Sequence, residues 1–195
     1  MWLYSLPVLA YLLGSVSSAV VVARLMGLPD PREVGSKNPG ATNVLRYGGK
    51  TAAILTLAGD VLKGVAPVLI ARVLAADAAI IALTGFGAFL GHLFPVFFGF
   101  RGGKGVATAL GAWLAINSWV GLALLATWLA MALLFRYSSL AALTATVVAP
   151  FYVYWLSPGP AYLATMIVMS AILIFRHRSN IRNLIAGTES KIGAK

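Results

Sequence analysis

Cysteine is absent from this sequence, and other metal-binding or nucleophilic patterns are rare. The 195 residues contain no Cys, two His and five Asp or Glu. Without cysteine the chain has no disulfide framework, no thiolate nucleophile and no thiolate metal site. Two histidines also exclude a histidine-rich metal site. A Gly-x-Ser-x-Gly elbow is missing too, so no familiar nucleophile arrangement is present.

Charged residues are scarce as well. They make up 10% of the chain, whereas a soluble domain averages roughly 25%. Hydrophobic residues make up 60%, and the mean hydropathy is +0.89. This composition indicates an integral membrane protein, which we expect to form one domain over residues 1–195. Lys and Arg outnumber acidic residues by 15 to 5, and the positive-inside rule accounts for much of that excess without nucleic-acid binding.

Apolar segments divide the chain into candidate membrane helices, since a bilayer core needs roughly 20 helical residues. They are residues 3–26, 51–75, 78–98, 106–135, 138–156 and 161–175. The fourth has Asn117 and Ser118 at its midpoint, which indicates a turn between two short helices, and residues 157–160 (SPGP) form another break. The sequence therefore predicts an all-α bundle of seven transmembrane helices. We expect the first segment to be retained, because the N-terminus lacks the basic region of a cleaved signal peptide.

Basic residues predict the orientation of the bundle. If the segment after the first helix is cytoplasmic, thirteen of the fifteen Lys and Arg residues lie inside: Arg24, Arg32, Lys37, Arg46, Lys50, Arg101, Lys104, Arg136, Arg176, Arg178, Arg182, Lys191 and Lys195. Six spans would place the tail opposite Arg101 and break this bias. We therefore expect the N-terminus outside, the C-terminus in the cytoplasm, and the polar segments together on the cytoplasmic face.

The longest polar stretch is residues 35–46 (GSKNPGATNVLR), in a loop that we expect to extend to Lys50. Two glycines and a proline prevent a regular helix throughout. The stretch offers hydroxyl and amide groups and two cations, and it contains no carboxylate. Such a set of side chains suits the binding of a phosphate. The candidate binding residues are Ser36, Lys37, Asn38, Gly40, Thr42, Asn43 and Arg46. A hydrophilic turn that only connects two membrane helices is the alternative.

A second basic stretch, residues 101–108 (RGGKGVAT), directly follows the third span. It is not a Walker A loop, because Phe98 and Gly105 occupy the places of the required Gly and Ser or Thr. Its glycines still allow close backbone approach to an anion, and the next helix adds N–H groups at its start. The candidate phosphate-binding residues are Arg101, Gly102, Gly103, Lys104, Gly105 and Thr108. A basic turn beside the membrane is the alternative.

Further ionisable residues lie within or next to the spans. Asp60 and Lys63 share one helical face and can pair. Ionisable groups at membrane depth are functional candidates, although a pair that only fixes helix packing is the alternative. His177 and Asn180 follow the last span in a basic setting, where the imidazole can relay a proton. For His92, at an apolar helix end, we favour a structural hydrogen-bonded role.

Together these motifs resemble a known family. The three signature motifs of the bacterial acyl-phosphate:glycerol-3-phosphate acyltransferases, the PlsY family, are similar to residues 35–46, 91–97 with 101–108, and 177–184 with 187–189. The resemblance covers the whole chain, including its length and span layout. One departure is Asn183, where Arg is more usual.

The resemblance implies transfer of a fatty acyl group from acyl phosphate to the 1-hydroxyl of glycerol 3-phosphate, giving lysophosphatidic acid and phosphate. This is the first acylation of phospholipid synthesis, placed at the cytoplasmic face of the bacterial inner membrane. It implies no metal or cofactor, and a functional link to the soluble enzyme that makes acyl phosphate. Two phosphate-bearing substrates agree with two anion-binding stretches. The implied catalytic residues are Ser36, Lys104, His177 and Asn180, supported by Asp60, Lys63 and Glu189.

Direct acyl transfer needs an acceptor for the proton of the attacking hydroxyl. Asp60, His177 and a substrate phosphate oxygen are the candidates. Lys63 favours the carboxylate form of Asp60 and makes it a weak base, and the arginines that flank His177 disfavour an imidazolium. We therefore favour a phosphate oxygen of the donor, which lies next to the reacting carbon.

Two other classes of membrane protein are compatible with parts of the sequence. Intramembrane charges and half-length helices also fit a transporter for phosphate-containing anions, but such a transporter needs internal symmetry that the sequence does not display. A nucleotide-dependent membrane kinase is disfavoured by the failed Walker pattern and by the few carboxylates for Mg²⁺.

Overall fold

The computed structural model of the chain describes residues 2–157 and 159–193. In these ranges the regular secondary structure is helical, without β-strands, as the sequence predicts. Pro158, in the predicted break, and Lys195, one of the predicted cytoplasmic charges, lie outside the described residues. The chain divides into two compact units, Met1–Ile116 and Asn117–Lys195.

Close helix packing characterises the first unit. Its helices are α1 (Leu6–Gly14), α2 (Ser18–Leu25), α3 (Ala41–Val73), α4 (Ala78–Leu93) and α5 (Val106–Ile116), with 3-10 segments at Trp2–Ser5 and Val96–Phe98. A Cβ on Gly14 would overlap the carbonyl oxygen of Ala88, and one on Gly64 would overlap that of Thr108. Small residues thus let α1 approach α4 and α3 approach α5.

The second unit begins with a helix cap at the predicted turn. Its helices are α6 (Ser118–Phe135), α7 (Ser138–Leu156), α8 (Pro160–Arg176) and α9 (Arg178–Ile185). Asn117 Oδ1 accepts hydrogen bonds from the backbone N–H groups of Trp119 and Val120 at 3.0 and 3.3 Å. This side-chain cap satisfies N–H groups at the start of α6, and it confirms the turn predicted at Asn117.

Among the described residues, five segments are long and apolar enough to cross a membrane, and α8 with α9 gives a sixth if this pair, bent by 56°, forms one span. The five are Trp2–Leu25, Ala41–Val73, Ala78–Phe98, Ser118–Phe135 and Ser138–Leu156. Helix α5, at 11 residues, is shorter than the roughly 20 residues that a crossing needs. The all-α class agrees with the sequence, while seven crossings and their orientation stay predictions.

The first span is interrupted, a feature that we did not predict. Helix α1 ends at Gly14, α2 begins at Ser18, and Ser17 between them is extended with φ −80° and ψ 96°. The carbonyl oxygen of Val16 accepts a hydrogen bond from Lys63 Nζ at 2.9 Å. Irregular backbone at membrane depth needs such protein partners, because lipid tails offer none.

The polar loop ends earlier than predicted. We expected it to reach Lys50, but α3 begins at Ala41. Gly40 is the extended N-cap residue, with φ −148° and ψ 161°, and its carbonyl oxygen accepts from Val44 N at 3.1 Å. The prediction was wrong because polarity does not prevent a helix, and the residues after Gly40 include good helix formers. Within α3 the helix is kinked at Gly49, whose backbone is non-helical with φ +79°.

Candidate active site

One buried side chain, Asn43 on the first turn of α3, orders the first polar motif. Its Oδ1 accepts from the backbone N–H of Ser36 at 2.8 Å, and its Nδ2 donates to the carbonyl oxygens of Pro31 and Val34, each at 3.0 Å. Asn43 is only 1% exposed. Gly35 has φ +59°, and a Cβ there would overlap Asn43 Oδ1. Glycine and asparagine are therefore both needed for this loop conformation.

The remaining candidates from this motif lie at or near the surface. Exposed side chains belong to Ser36, Lys37, Thr42 and Arg46, whereas Asn38 and Gly40 are half-buried. Because the amide of Asn43 is already used inside the loop, its contribution to a predicted phosphate site is to position the other donors. The exposed hydroxyl and cationic groups remain the candidates for contact with an anion.

Arg32 joins the loop that precedes the first motif to the segment that precedes residues 101–108. Its Nη1 donates to the carbonyl oxygen of Phe98 at 3.2 Å, and its guanidinium carbon lies 6.0 Å from the centre of the Phe98 ring. Its Nη2 and Nε donate to the Asp30 carboxylate at 2.6 and 2.9 Å. Hydrogen bonding from Arg32 lowers the pKa of Asp30 below its ordinary value of 3.8, although partial burial opposes this. The sequence marked Arg32 only as a cytoplasmic charge.

The glycines of the second motif pack against the end of α4. Gly103 N donates to the carbonyl oxygen of His92 at 3.2 Å. A Cβ on Gly103 would lie 3.1 Å from the carbonyl oxygen of Pro39, in the first motif. A Cβ on Gly102 would overlap the carbonyl oxygens of His92 and Leu93. Side chains at these positions would therefore displace the loop, and their absence brings the backbones of the two motifs together.

Helix α5 begins directly after this loop. Gly105, the last loop residue, is buried and has φ +87°. Lys104 is half-buried and Arg101 is exposed. A helix N-terminus carries partial positive charge and free N–H groups, which together with these cations suit an anion. Thr108, by contrast, is 0% exposed, and its carbonyl oxygen packs against Gly64 of α3; its phosphate contact stays a prediction.

Three ionisable side chains form a buried cluster in the first unit. Lys63 Nζ lies 2.9 Å from Asp60 Oδ1, and His92 Nδ1 lies 3.4 Å from the same oxygen. Asp60, Lys63 and His92 are 2%, 6% and 7% exposed. The predicted Asp60–Lys63 pair is confirmed. The contact of His92 with this pair was not predicted; its only sequence signal was its place in the same motif as the glycine loop.

In the second unit Glu189 holds the side chain of Asn180. Glu189 Oε1 accepts from Asn180 Nδ2 at 2.7 Å and from Ser139 Oγ at 2.6 Å. His177 lies at the bend between α8 and α9 and is 3% exposed. Its Nδ1 lies 2.8 Å from the carbonyl oxygen of Leu173. Because a carbonyl oxygen can only accept, this contact assigns a hydrogen to Nδ1.

Comparison with known proteins gives one consistent family. The family model for glycerol-3-phosphate acyltransferase matches residues 4–187. The glycerol-3-phosphate acyltransferase of Thioalkalivibrio sulfidiphilus is 60% identical over 186 residues, which cover 95% of this chain and 92% of that protein. The glycerol-3-phosphate acyltransferase of Methylococcus capsulatus is 59% identical over 187 residues, which cover 95% of this chain and 94% of that protein.

The similar solved structures belong to the same family as these relatives. The crystal structure of PlsY (YgiH), an integral membrane glycerol 3-phosphate acyltransferase, in its glycerol 3-phosphate form is 44% identical, with a TM-score of 0.93. Its lysophosphatidic acid form is 42% identical, with a TM-score of 0.91. Each match covers 99% of this chain and 96% of the solved chain. The chain therefore belongs to the glycerol-3-phosphate acyltransferases, and within them to the integral membrane PlsY family that its three motifs resemble.

Proposed function

We propose that this enzyme transfers a fatty acyl group from acyl phosphate to the 1-hydroxyl of glycerol 3-phosphate, releasing lysophosphatidic acid and phosphate. The observation that carries the proposal is the approach of the two motifs, with the Cβ position of Gly103 3.1 Å from the carbonyl oxygen of Pro39. Each motif offers groups that suit a phosphate, and the reaction joins two phosphate-bearing substrates. The glycerol 3-phosphate and lysophosphatidic acid forms of the related PlsY support the acceptor and the product.

The residues present suit an acyl phosphate donor. The hydroxyl oxygen of the acceptor forms a bond to the acyl carbonyl carbon. The bond from that carbon to the phosphate oxygen breaks, and phosphate leaves with its electron pair. Cations and backbone N–H groups stabilise the charge that develops on the leaving phosphate. Lys104 and Arg46 are the principal cations in this proposal, one from each motif.

A phosphate oxygen of the donor takes the proton of the attacking hydroxyl in this mechanism. It lies next to the reacting carbon, so it needs no further positioning. Asp60 is a poor alternative, because it is 2% exposed and Lys63 and His92 both lie close to its Oδ1. His177 is a weaker candidate as well, because it is 3% exposed and the positive charges of Arg176 and Arg178 beside it disfavour an imidazolium.

The remaining catalytic residues position groups and stabilise charge. Asn43 fixes the backbone of Ser36, whose side chain is exposed. Glu189 fixes the amide of Asn180 in the second unit. Preorganised polar groups of this kind stabilise a transition state without reorganising during the reaction.

The enzyme lies in the bacterial inner membrane in this proposal, with seven crossings and the active site at the cytoplasmic face. The distribution of basic residues supports the orientation. A cytoplasmic site suits glycerol 3-phosphate, which is water-soluble, and acyl phosphate supplied by a soluble enzyme. The apolar acyl chain would remain among the membrane helices.

The test is phosphate release by purified protein from acyl phosphate, with and without glycerol 3-phosphate. We expect release to depend on glycerol 3-phosphate and to equal the amount of lysophosphatidic acid formed. A Lys104→Ala variant with an unchanged unfolding temperature serves as the low-activity control. Release that does not depend on glycerol 3-phosphate, or the absence of acylated product, would overturn the proposal.

A further inference from the structure

We propose that His92 is a positioning residue for the glycine loop (residues 101–105), and that the acceptor oxygen of Asp60 sets the orientation of the His92 ring. The inference rests on the proposed function, in which the glycine loop binds a phosphate of one substrate. It gives the buried pair of Asp60 and Lys63 a role in substrate binding, although these side chains are too deeply buried to contact the substrate phosphate themselves.

The two ring nitrogens of His92 face different groups. Nδ1 lies 3.4 Å from Asp60 Oδ1, while a Cβ on Gly103 would overlap Nε2. At this distance the contact is electrostatic, and the negative carboxylate oxygen favours a hydrogen on Nδ1 and an orientation with the Nδ1 edge of the ring toward α3. The ring therefore acts as a spacer of defined orientation between α3 and the glycine loop.

The backbone of His92 holds the same loop. Its carbonyl oxygen accepts from Gly103 N at 3.2 Å, and a Cβ on Gly102 would overlap that oxygen. Gly103 thus lies against both the backbone and the ring of His92. Binding groups have to be held within about 0.5 Å of their productive geometry, so rotation of His92 would misdirect the peptide groups on either side of Gly103.

Lys63 balances the charge of this cluster. Its Nζ lies 2.9 Å from Asp60 Oδ1 and also donates to the carbonyl oxygen of Val16 at 2.9 Å. Removing Asp60 or Lys63 alone would leave the other charge buried and unpaired, which strongly destabilises proteins. A single substitution in the pair would therefore lower stability as well as any positioning effect on the loop, and the two effects could not be separated. Both charges have to be removed together.

Two double variants separate these effects: Asp60→Asn with Lys63→Met, and Asp60→Leu with Lys63→Met. Both are uncharged and both lose the bond to Val16. They differ only at position 60, where Asn retains an acceptor oxygen for His92 and the similarly sized Leu has no polar group. We expect the Leu variant to have at least a tenfold higher KM for one of the two phosphate-bearing substrates, with kcat within about threefold of the Asn variant. A general packing role would not produce this selective change in KM.

Equal KM values for both substrates in the two double variants, or a difference confined to kcat, would overturn the positioning role. Binding of inorganic phosphate, measured by calorimetry in detergent, is a readout that does not need turnover. If the wild type fails to release phosphate from acyl phosphate, the proposed function fails. At least tenfold weaker phosphate binding by the Leu variant would still support the link from Asp60 through His92 to the loop, and equal binding would overturn it.

His92→Asn provides a second test that leaves the Asp60–Lys63 pair intact and serves if the Leu variant does not fold. Asn keeps a donor near the position of Nδ1 but lacks the ring edge that faces Gly103. We expect the same KM to rise at least tenfold while kcat changes less than about threefold. An unchanged KM in a folded His92→Asn protein would overturn the inference.

Discussion

The side-chain oxygen of Asn43 accepts a hydrogen bond from the backbone N–H of Ser36 at 2.8 Å. The donor lies in the polar loop, whereas Asn43 belongs to the first turn of α3. The early start of this helix thus provides the rigid support on which the loop is built. A site whose loop is held by a helix is more precisely positioned than one formed by a loop alone.

Replacing Asn43 by Leu is expected to destabilise the protein and weaken substrate binding. The substitution removes an acceptor for Ser36 N and donors for the carbonyl oxygens of Pro31 and Val34. Because buried polar groups without partners cost about 1–3 kcal/mol, we expect a loss of about 2 kcal/mol in unfolding free energy and a raised KM. Denaturant unfolding in detergent and steady-state kinetics measure both. Asn183→Leu, at an exposed asparagine, is the control, and equal effects of the two substitutions would contradict the prediction.

Removing a phosphate-binding cation is expected to lower activity steeply. Lys104→Ala and Arg46→Ala each remove a charge-assisted contact of about 1.5–3 kcal/mol, which corresponds to about a ten- to hundredfold loss in kcat/KM. Lys104→Arg should not restore full activity, because a planar fork replaces a compact ammonium. Lys50→Ala, at an exposed lysine of α3, controls for the general loss of positive charge. Near wild-type turnover of both folded alanine variants would refute the assignment.

Acidification is expected to weaken the Asp30–Arg32 ion pair, which lies beside the contact of Arg32 with Phe98. Hydrogen bonding from Arg32 lowers the pKa of Asp30 below 3.8. A carboxyl group with a lowered pKa stabilises the fold above its unfolded pKa, and this contribution is lost as the pH falls through the folded value. Asp30→Asn should therefore unfold at a lower temperature than wild type at about pH 6, and the difference should shrink below about pH 4.

Thermal unfolding of wild type, Asp30→Asn and Glu33→Gln across this pH range checks the prediction. Glu33 is an exposed carboxylate of the same loop, so its variant reports the effect of charge without the Arg32 bond. A difference between wild type and Asp30→Asn that grows on acidification would contradict the assigned role of the pair.

The membrane orientation is testable with reporter fusions at both ends of the chain. We expect the N-terminus outside and the C-terminus in the cytoplasm, because thirteen of the fifteen Lys and Arg residues then lie inside. Fusions whose activity depends on compartment report each end separately. Finding both ends on the same side of the membrane would remove the seven-span arrangement.

Direct acyl transfer predicts that no acyl-enzyme forms. Rapid quench of the enzyme with acyl phosphate alone, followed by mass spectrometry of peptides that contain Ser36, should detect no acyl adduct. A trapped adduct on Ser36 would contradict direct transfer. A folded His177→Asn variant that binds both substrates but loses chemistry and its pH dependence would instead contradict proton transfer to a donor phosphate oxygen.

Composition and local spacing were sufficient to predict several features of the protein. Few charges and long apolar segments indicated an all-α membrane protein. Asn117 between two apolar helices predicted a turn, and the three-residue spacing of Asp60 and Lys63 predicted their pair. The three motifs predicted the family that the comparisons confirm. All of these depend on neighbours in the chain or on overall composition, which a sequence displays directly.

Contacts between distant segments were decided by the tertiary structure. Arg32 reaches Phe98, Lys63 reaches Val16, and His92 meets Asp60 because α4 packs beside α3. In a membrane protein nearly every helix face is apolar, so hydrophobic periodicity does not reveal which faces meet. The sequence by itself determined the class, the motifs and the local pairs; the buried link from Asp60 through His92 to the glycine loop arose only from helix packing.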